Sequence, residues 1–170
     1  MTSPIKYWEV INPKTMIDVF QSPQIGIVTI RKEKGEQYLQ AIMVKLMNSF
    51  LSFYSVNGQM DAFQVADTIN LIIETYPHYC LEDFKLFFKM SKKGLFGDVF
   101  GRMDGSVIMN WLSKYNIHRV LEAQEASIRE QDRFKELSRI KGDGVTYEEY
   151  LKIKERADRG DKDAIKLLRL

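Results

Sequence analysis

Proline is confined to the first half of the chain, and this limits the fold more than any other feature of the sequence. The four prolines stand at positions 4, 13, 23 and 77, and none follows. Because proline inside a helix removes a backbone hydrogen bond and collides with the preceding turn, the second half is free to form long helices. We therefore predict an all-α protein, a compact multi-helix bundle with a long charged helix and a C-terminal helical tail.

Chain length and cysteine content exclude several classes of protein. The 170 residues are 45% hydrophobic and 28% charged, which suits one globular domain or one domain with an appendage. The single cysteine, Cys80, excludes an intramolecular disulfide scaffold. The first seven residues lack a signal-peptide pattern, and no apolar stretch approaches the roughly 18–20 residues that span a bilayer. We expect a cytoplasmic protein with no membrane contact.

Proline and capping residues predict two short helices near the N-terminus. Asn12-Pro13 resembles a helix cap with proline in the first turn, so we predict a helix from there to about Phe20. Ser22-Pro23 repeats this signal and predicts a second helix ending at residues 34–35. The β-branched residues at 25–30 also suit a strand, but the caps favour a helix and no partner strand is evident.

Apolar spacing and caps predict the remaining helices. Their expected ranges are 36–54, 61–76, 81–93, 104–140, 146–158 and 161–170. Gly94 suits the C-terminal cap of the helix over 81–93, Asp104 the N-cap of the long helix, and residues 141–144 a turn. We predict a helical body over 1–116, a charged arm and turn over 117–144, and a tail over 145–170. Within the body, we expect Phe84, Phe88, Trp111 and Leu112 to pack together.

Basic residues recur on one face of the predicted helix over 81–93 and just beyond it. Five basic residues and one acid, Asp98, lie between positions 84 and 102, although the whole chain carries only +2. This local excess of positive charge is typical of a surface that contacts nucleic-acid phosphates, and a solvated helix face is the structural alternative. The candidate nucleic-acid residues are Lys85, Lys89, Lys92, Lys93 and Arg102.

Four glycines lie between residues 94 and 105, but they match no known phosphate loop. No Gly-Lys-Ser/Thr follows them, and their spacing differs from that of the dinucleotide fingerprint. We predict a turn-rich connection that places Phe96 and Phe100 in the core.

The residues capable of catalysis or metal binding do not form a recognisable group. The acids Glu82 and Asp83 suit a helix start, and we expect no two carboxylates to converge. His78 is expected in a turn, His118 on the surface, and Cys80 as a small buried residue. We therefore predict no catalytic residues, no metal site and no cofactor, and expect that the protein is not an enzyme.

The two C-terminal helices are too short to be stable alone, since isolated helices under about 12–15 residues are marginal in water. They must pack against the body, each other or a partner. The apolar residues expected to bind a partner are Tyr147, Tyr150, Leu151, Ile165 and Leu168.

A set of anchor residues within positions 20–120 resembles a known group. The anchors are Ser22-Pro23, Ile30-Arg31, Glu74, Tyr76-Pro77, Leu81, Asp83-Phe84, Phe88-Lys89, Lys92, Gly94, Phe96-Gly97, Asp104-Gly105, Ile108, Trp111-Leu112 and Tyr115. This pattern resembles a family of small uncharacterised helical proteins from phages and mobile elements of Bacteroides-type bacteria. It is more distantly similar to phage replication proteins of the helicase-loader type.

The resemblance implies an accessory protein of phage or mobile-element DNA replication. Its expected partners are DNA and a protein, foremost a replicative helicase, and self-association into a homo-oligomer is compatible with the tail. The alternative from another class is a protein-interaction adaptor or regulator, for example against host defence, with no nucleic-acid contact.

Overall fold

The computed structural model describes residues 3–140 and 147–168, with side chains described only to residue 136 in the first range. Helices dominate, and the all-α prediction is confirmed. The helices are α1 (Pro4–Val10), α2 (Met16–Gln21), α3 (Ile27–Lys34), α4 (Glu36–Leu51), α5 (Ala62–Thr75), α6 (Leu81–Lys92), α7 (Gly105–Ile140), α8 (Tyr147–Asp158) and α9 (Lys162–Leu167). The N-cap of α8 and the turn expected over 141–144 lie outside the described residues.

Two short segments pair between the helices. Strand β1 (Gly58–Gln59) lies parallel to β2 (Arg102–Met103), with Gly58 opposite Arg102. A Cβ on Gly58 would lie only 2.9 Å from the Cβ of Arg102, so this pairing needs a glycine. The pairing ties the connection before α5 to the one before α7.

The chain divides into two compact units, residues 1–125 and 126–170. Helix α7 runs through this division, which falls inside the predicted charged arm. The first unit contains the hydrophobic core, while the second contains the α8–α9 pair.

The core of the first unit agrees with the predicted helix faces. The apolar stripe of α4 is buried along its whole length, from Leu39 to Leu51, as are Val65, Ile69 and Ile72 on α5. The apolar side chains of these stripes pack against α6 and the first part of α7. Each Å² of apolar surface removed from water contributes roughly 25 cal/mol to the stability of the unit.

Aromatic rings form the centre of this core. Phe50 stacks on Phe88 with 4.4 Å between ring centroids, and Phe87 contacts both Phe96 and Tyr115. Phe84, Phe88, Trp111 and Leu112 are all buried in the same cluster, as predicted.

The glycine-rich connection buries Phe96 but not Phe100, whose side chain is 85% exposed. The prediction for Phe100 is wrong because Val99, between Gly97 and Gly101, packs against the core instead. Both glycines take positive φ angles, so the chain turns on either side of Val99. Lys114 Nζ donates to the Phe96 carbonyl and holds the start of this connection against α7.

The N-terminal region differs most from expectation. Helix α2 begins after Thr15, not at Asn12-Pro13, because Thr15 and Asp18 form a reciprocal capping box. Helix α1 was not predicted at all. Residues 27–30 are helical, as favoured, whereas Gly26 is extended and bridges Cys80 on the chain entering α6.

Candidate nucleic-acid and partner-binding surfaces

The basic face of α6 contacts the N-terminal segment of the chain. Lys85 Nζ donates to the Trp8 carbonyl at 3.0 Å and lies 4.7 Å from the centroid of the Trp8 ring. Lys89 Nζ donates to Asn12 Oδ1 at 2.7 Å and to the Pro13 carbonyl at 2.8 Å. Two of the five predicted nucleic-acid residues therefore bind the chain's own backbone and side chains.

The other three predicted basic residues are exposed. Lys92 lies on the same face of α6, with Nζ 5.1 Å from the centroid of the Phe53 ring. Lys93 follows it at the helix C-terminus. Arg102 forms an ion pair with Asp104 at 3.0 Å, yet its side chain is 74% exposed. These side chains keep donors available for anionic ligands in solution.

Burial and mutual repulsion act together on the lysine row. Partial burial lowers the pKa of Lys85, and the charges of Lys89 and Lys92 lower it further. Burial likewise lowers the pKa of Lys89, with the neighbouring Lys93 and Lys14 adding to the effect. An anion placed along this row would relieve the repulsion.

Glu82, one turn before Lys85, also binds the N-terminal region. Its Oε1 accepts from Tyr7 Oη at 2.5 Å and from the Gln24 backbone N–H at 2.9 Å. Gln24 has a φ of +54°, in the left-handed region that non-glycine residues rarely adopt. Because the bond from its N–H to a buried carboxylate stabilises this conformation, Glu82 fixes both α1 and the chain entering α3.

Asp83 is the centre of a buried polar cluster that the sequence did not reveal. It is 0% exposed, and its Oδ1 accepts from Arg119 Nε at 2.7 Å and Tyr115 Oη at 3.0 Å. Its Oδ2 accepts from the backbone N–H and the Sγ of Cys80, both at 3.1 Å. The cluster joins the start of α6 to α7. Because both carboxylate oxygens of Asp83 are hydrogen-bonded, its buried charge has a structural role.

Cys80 is buried, as predicted, and its environment opposes thiolate formation. Burial raises the pKa of the Cys80 thiol, and the negative charge of Asp83 raises it further. A low pKa is what makes a thiol reactive, so this side chain has the character of a packed core residue.

The predicted turn and surface histidines take those positions. His78 lies in the exposed turn between α5 and α6, where its ring packs edge-on against Tyr79. His118 is exposed on α7, with Nε2 3.9 Å from Glu122 Oε1. Within residues 3–136 and 147–168, no group of three histidine, cysteine or acidic side chains is arranged to hold a metal ion.

A cleft of about 580 Å³ lies beside α1. Tyr7, Ile25, Ile30 and Tyr38 line it together with residues at the start of α1 and on α3. Its volume is within the range of small-molecule sites. The Tyr7–Glu82 bond fixes one wall, so the geometry of the cleft depends on how α1 is held.

The second unit presents the predicted partner-binding residues on a helical pair. Arg156 Nη2 donates to Asp161 Oδ2 at 2.6 Å, and Asp161 caps α9, which fixes the turn between α8 and α9. Ala164 is buried and Ile165 half-buried, so Ile165 lies at the margin of this pair.

The remaining predicted partner residues are exposed. Tyr147, Tyr150 and Leu151 follow the spacing i, i+3, i+4 on α8, and the two tyrosine rings stack at 6.5 Å. The exposed fraction is 75% for Tyr147, and Leu168 at the end of α9 is also exposed. The structure thus brings four of the five residues to the surface of the second unit.

Comparisons with known proteins give no family assignment. No family model, no curated protein and no solved structure matches the chain. Among the described residues, no helix has the length and hydrophobicity to cross a membrane.

Proposed function

We propose that this chain is a non-enzymatic accessory protein that binds a protein partner through its second unit and DNA through the basic side of α6. The resemblance to phage and mobile-element proteins suggests DNA replication as the setting and a helicase-loader-like role. The observation that carries the proposal is the exposed aromatic and aliphatic face of α8.

The face of α8 has the composition of a protein-binding surface. Tyrosine is enriched at interface positions that contribute most to affinity, because it buries a large area at low entropic cost. Tyr147, Tyr150 and Leu151 form one continuous face, and no residue of α8 is buried. A short helix with this face gains stability when a partner covers it.

The charges around this face favour recognition by apolar contacts. Glu148 and Glu149 lie at the start of α8, and Lys152 and Lys154 follow within the helix, so the two signs balance locally. We therefore propose a partner with an apolar groove bordered by polar groups of both signs. A replicative helicase of a Bacteroides-type host is the first partner to test.

The DNA half of the proposal rests on Lys92, Lys93 and Arg102. These residues remain exposed, and Lys92 and Lys93 carry positive charge at the end of α6 where the chain turns through Gly94. A surface of this kind binds phosphates without reading base sequence.

The second candidate function is a protein adaptor without nucleic-acid contact. The contacts of Lys85 and Lys89 with residues 8–13 favour it, because these lysines already have a structural role. A DNA titration distinguishes this adaptor from a DNA-binding accessory protein.

Isothermal titration calorimetry, with the protein titrated into the purified helicase, tests partner binding. Tyr147→Ala combined with Tyr150→Ala should weaken binding at least tenfold, because two aromatic contacts are lost. The matched control is Lys152→Ala with Lys154→Ala on the same helix, which should change affinity less than threefold. Equal effects of both pairs, or no binding by the wild type, would contradict the proposed helicase partner.

DNA binding is tested by fluorescence anisotropy with a labelled 20-base-pair duplex between 50 and 200 mM salt. We expect the affinity to fall as salt rises. The slope of a plot of the logarithm of the association constant against the logarithm of salt concentration, called here the salt slope, should have a magnitude of about 0.9 per phosphate contacted. Lys92→Gln with Lys93→Gln should weaken binding and reduce the slope by about 2, whereas Lys32→Gln with Lys34→Gln on α3 serves as the charge-matched control. Wild-type protein that shows no salt-sensitive binding would favour the adaptor.

A further inference from the structure

Three charged side chains on one face of α6 bind residues between positions 7 and 13. Glu82, Lys85 and Lys89 stand at i, i+3 and i+7, and each binds a different point of the N-terminal segment, defined here as residues 3–13. The segment therefore lies across the part of the basic face that precedes Lys92.

The segment is mostly only partly buried against the first unit. Pro4 and Pro13 are the fully buried residues of the segment, and Val10 is 75% exposed. Its partly buried apolar side chains pack against the core, and the Trp8 ring lies edge-on to Phe88 with 5.9 Å between ring centroids. These side chains are Ile5, Tyr7, Trp8 and Ile11. Segments with few buried apolar contacts open at lower free energy than the rest of a domain.

We propose that the N-terminal segment masks a DNA-binding surface, and that displacing it frees Lys85 and Lys89 to contact DNA phosphates together with Lys92 and Lys93. This inference rests on the DNA half of the proposed function and adds its regulation. The ligand is the sugar–phosphate backbone of duplex DNA, and binding is expected to be independent of sequence.

The geometry of the uncovered row suits a phosphate backbone. Residues 85 and 92 are seven positions apart on a helix, which is about 10 Å at 1.5 Å per residue. Each nucleotide of one strand advances about 3.4 Å along the duplex axis, so the row spans the axial rise of about three nucleotides. In the structure, Lys85 and Lys89 donate to backbone carbonyls and to one amide oxygen of the segment. These acceptors are neutral, so a charged phosphate would form stronger hydrogen bonds with the two lysines.

One pair of full-length variants shifts the masking in opposite directions. Trp8→Ala removes the ring that contacts both Lys85 and Phe88 and should release the segment. Asn12→Asp keeps the shape of the side chain but gives Lys89 a charged acceptor, so it should hold the segment more firmly. Val10→Ala is the control on α1, and Gln131→Glu is the control for the added negative charge.

The duplex titration then gives distinct results. Trp8→Ala should bind at least tenfold more tightly than wild type at 100 mM salt, with a salt slope steeper by up to about 2, since two further lysines contact phosphates. Adding Lys85→Gln and Lys89→Gln to Trp8→Ala should remove this gain. Asn12→Asp should bind more weakly than Gln131→Glu, and Val10→Ala should match wild type.

Salt-sensitive binding that is the same for wild type, Trp8→Ala and Asn12→Asp would overturn the masking while leaving the proposed DNA function in place. Absence of binding by every variant would overturn both. If circular dichroism shows that Trp8→Ala is unfolded, Asn12→Asp decides alone, and an affinity equal to that of Gln131→Glu overturns the masking.

Discussion

Replacement of Asp83 tests whether the buried polar cluster stabilises the fold. Asp83→Ala leaves the guanidinium of Arg119 and the hydroxyl of Tyr115 without their carboxylate, and it removes the acceptor for two groups of Cys80. Removing one partner of a buried ion pair costs about 3–5 kcal/mol, because the remaining charge stays desolvated. The free energy of unfolding should fall by this amount, which corresponds to roughly 10 °C in melting temperature for a chain of this size.

Urea denaturation followed by far-ultraviolet circular dichroism measures the loss, and a double-mutant cycle assigns it. Arg119→Met with Asp83→Ala should cost less than the sum of the two single substitutions, because the double variant buries no unpaired charge. Asp98→Ala, in the exposed glycine-rich connection, is the matched control and should change stability by less than about 0.5 kcal/mol. A loss below about 1 kcal/mol for Asp83→Ala, or full additivity, would show that the polar cluster does not stabilise the fold.

Three further predictions concern packing and pH. Gly105→Ala should lose about 1–3 kcal/mol of stability, measured by urea denaturation, because a Cβ there collides with Thr68 Oγ1, and adding Thr68→Ala should recover part of the loss. Trp111→Ala should cost about 3–5 kcal/mol, and a loss under about 1 kcal/mol would contradict its burial. Burial raises the pKa of Tyr54 to about 12, so the folded state keeps a proton that the unfolded chain loses near pH 10. Stability should therefore decline between about pH 10 and 12, and Tyr54→Phe should reduce that decline in urea midpoints measured across this range.

Helices with local signals were predictable from the sequence. The α4 stripe, the Asp61 capping box of α5 and the Gly94 cap of α6 each lie within a few residues of chain, so spacing alone identifies them. Helix α1 was not predicted because seven residues are too few to show a helical periodicity. Its position depends on contacts with α6, more than seventy positions away in the sequence.

The roles of the charged residues of α6 depend on distant partners. Acidic residues are favoured at a helix N-terminus, and this preference is what indicated a helix start at Glu82 and Asp83. Nothing local indicates that Tyr7 or Arg119 reaches these carboxylates, so the sequence predicted only a position at the helix start for the two acids. The lysine row was likewise visible in the sequence, whereas the segment that covers part of it was not.

Truncation of the chain after residue 141 tests most directly whether the two units have separate roles. The first unit contains the core, and the second unit is the one proposed to bind the partner. The truncated protein should keep a cooperative thermal transition within about 2 °C of the full chain, since the core lies before residue 126. It should also lose measurable binding to the helicase in the calorimetric titration. A truncated protein that unfolds, or one that binds the partner as well as the full chain does, would contradict separate roles for the two units.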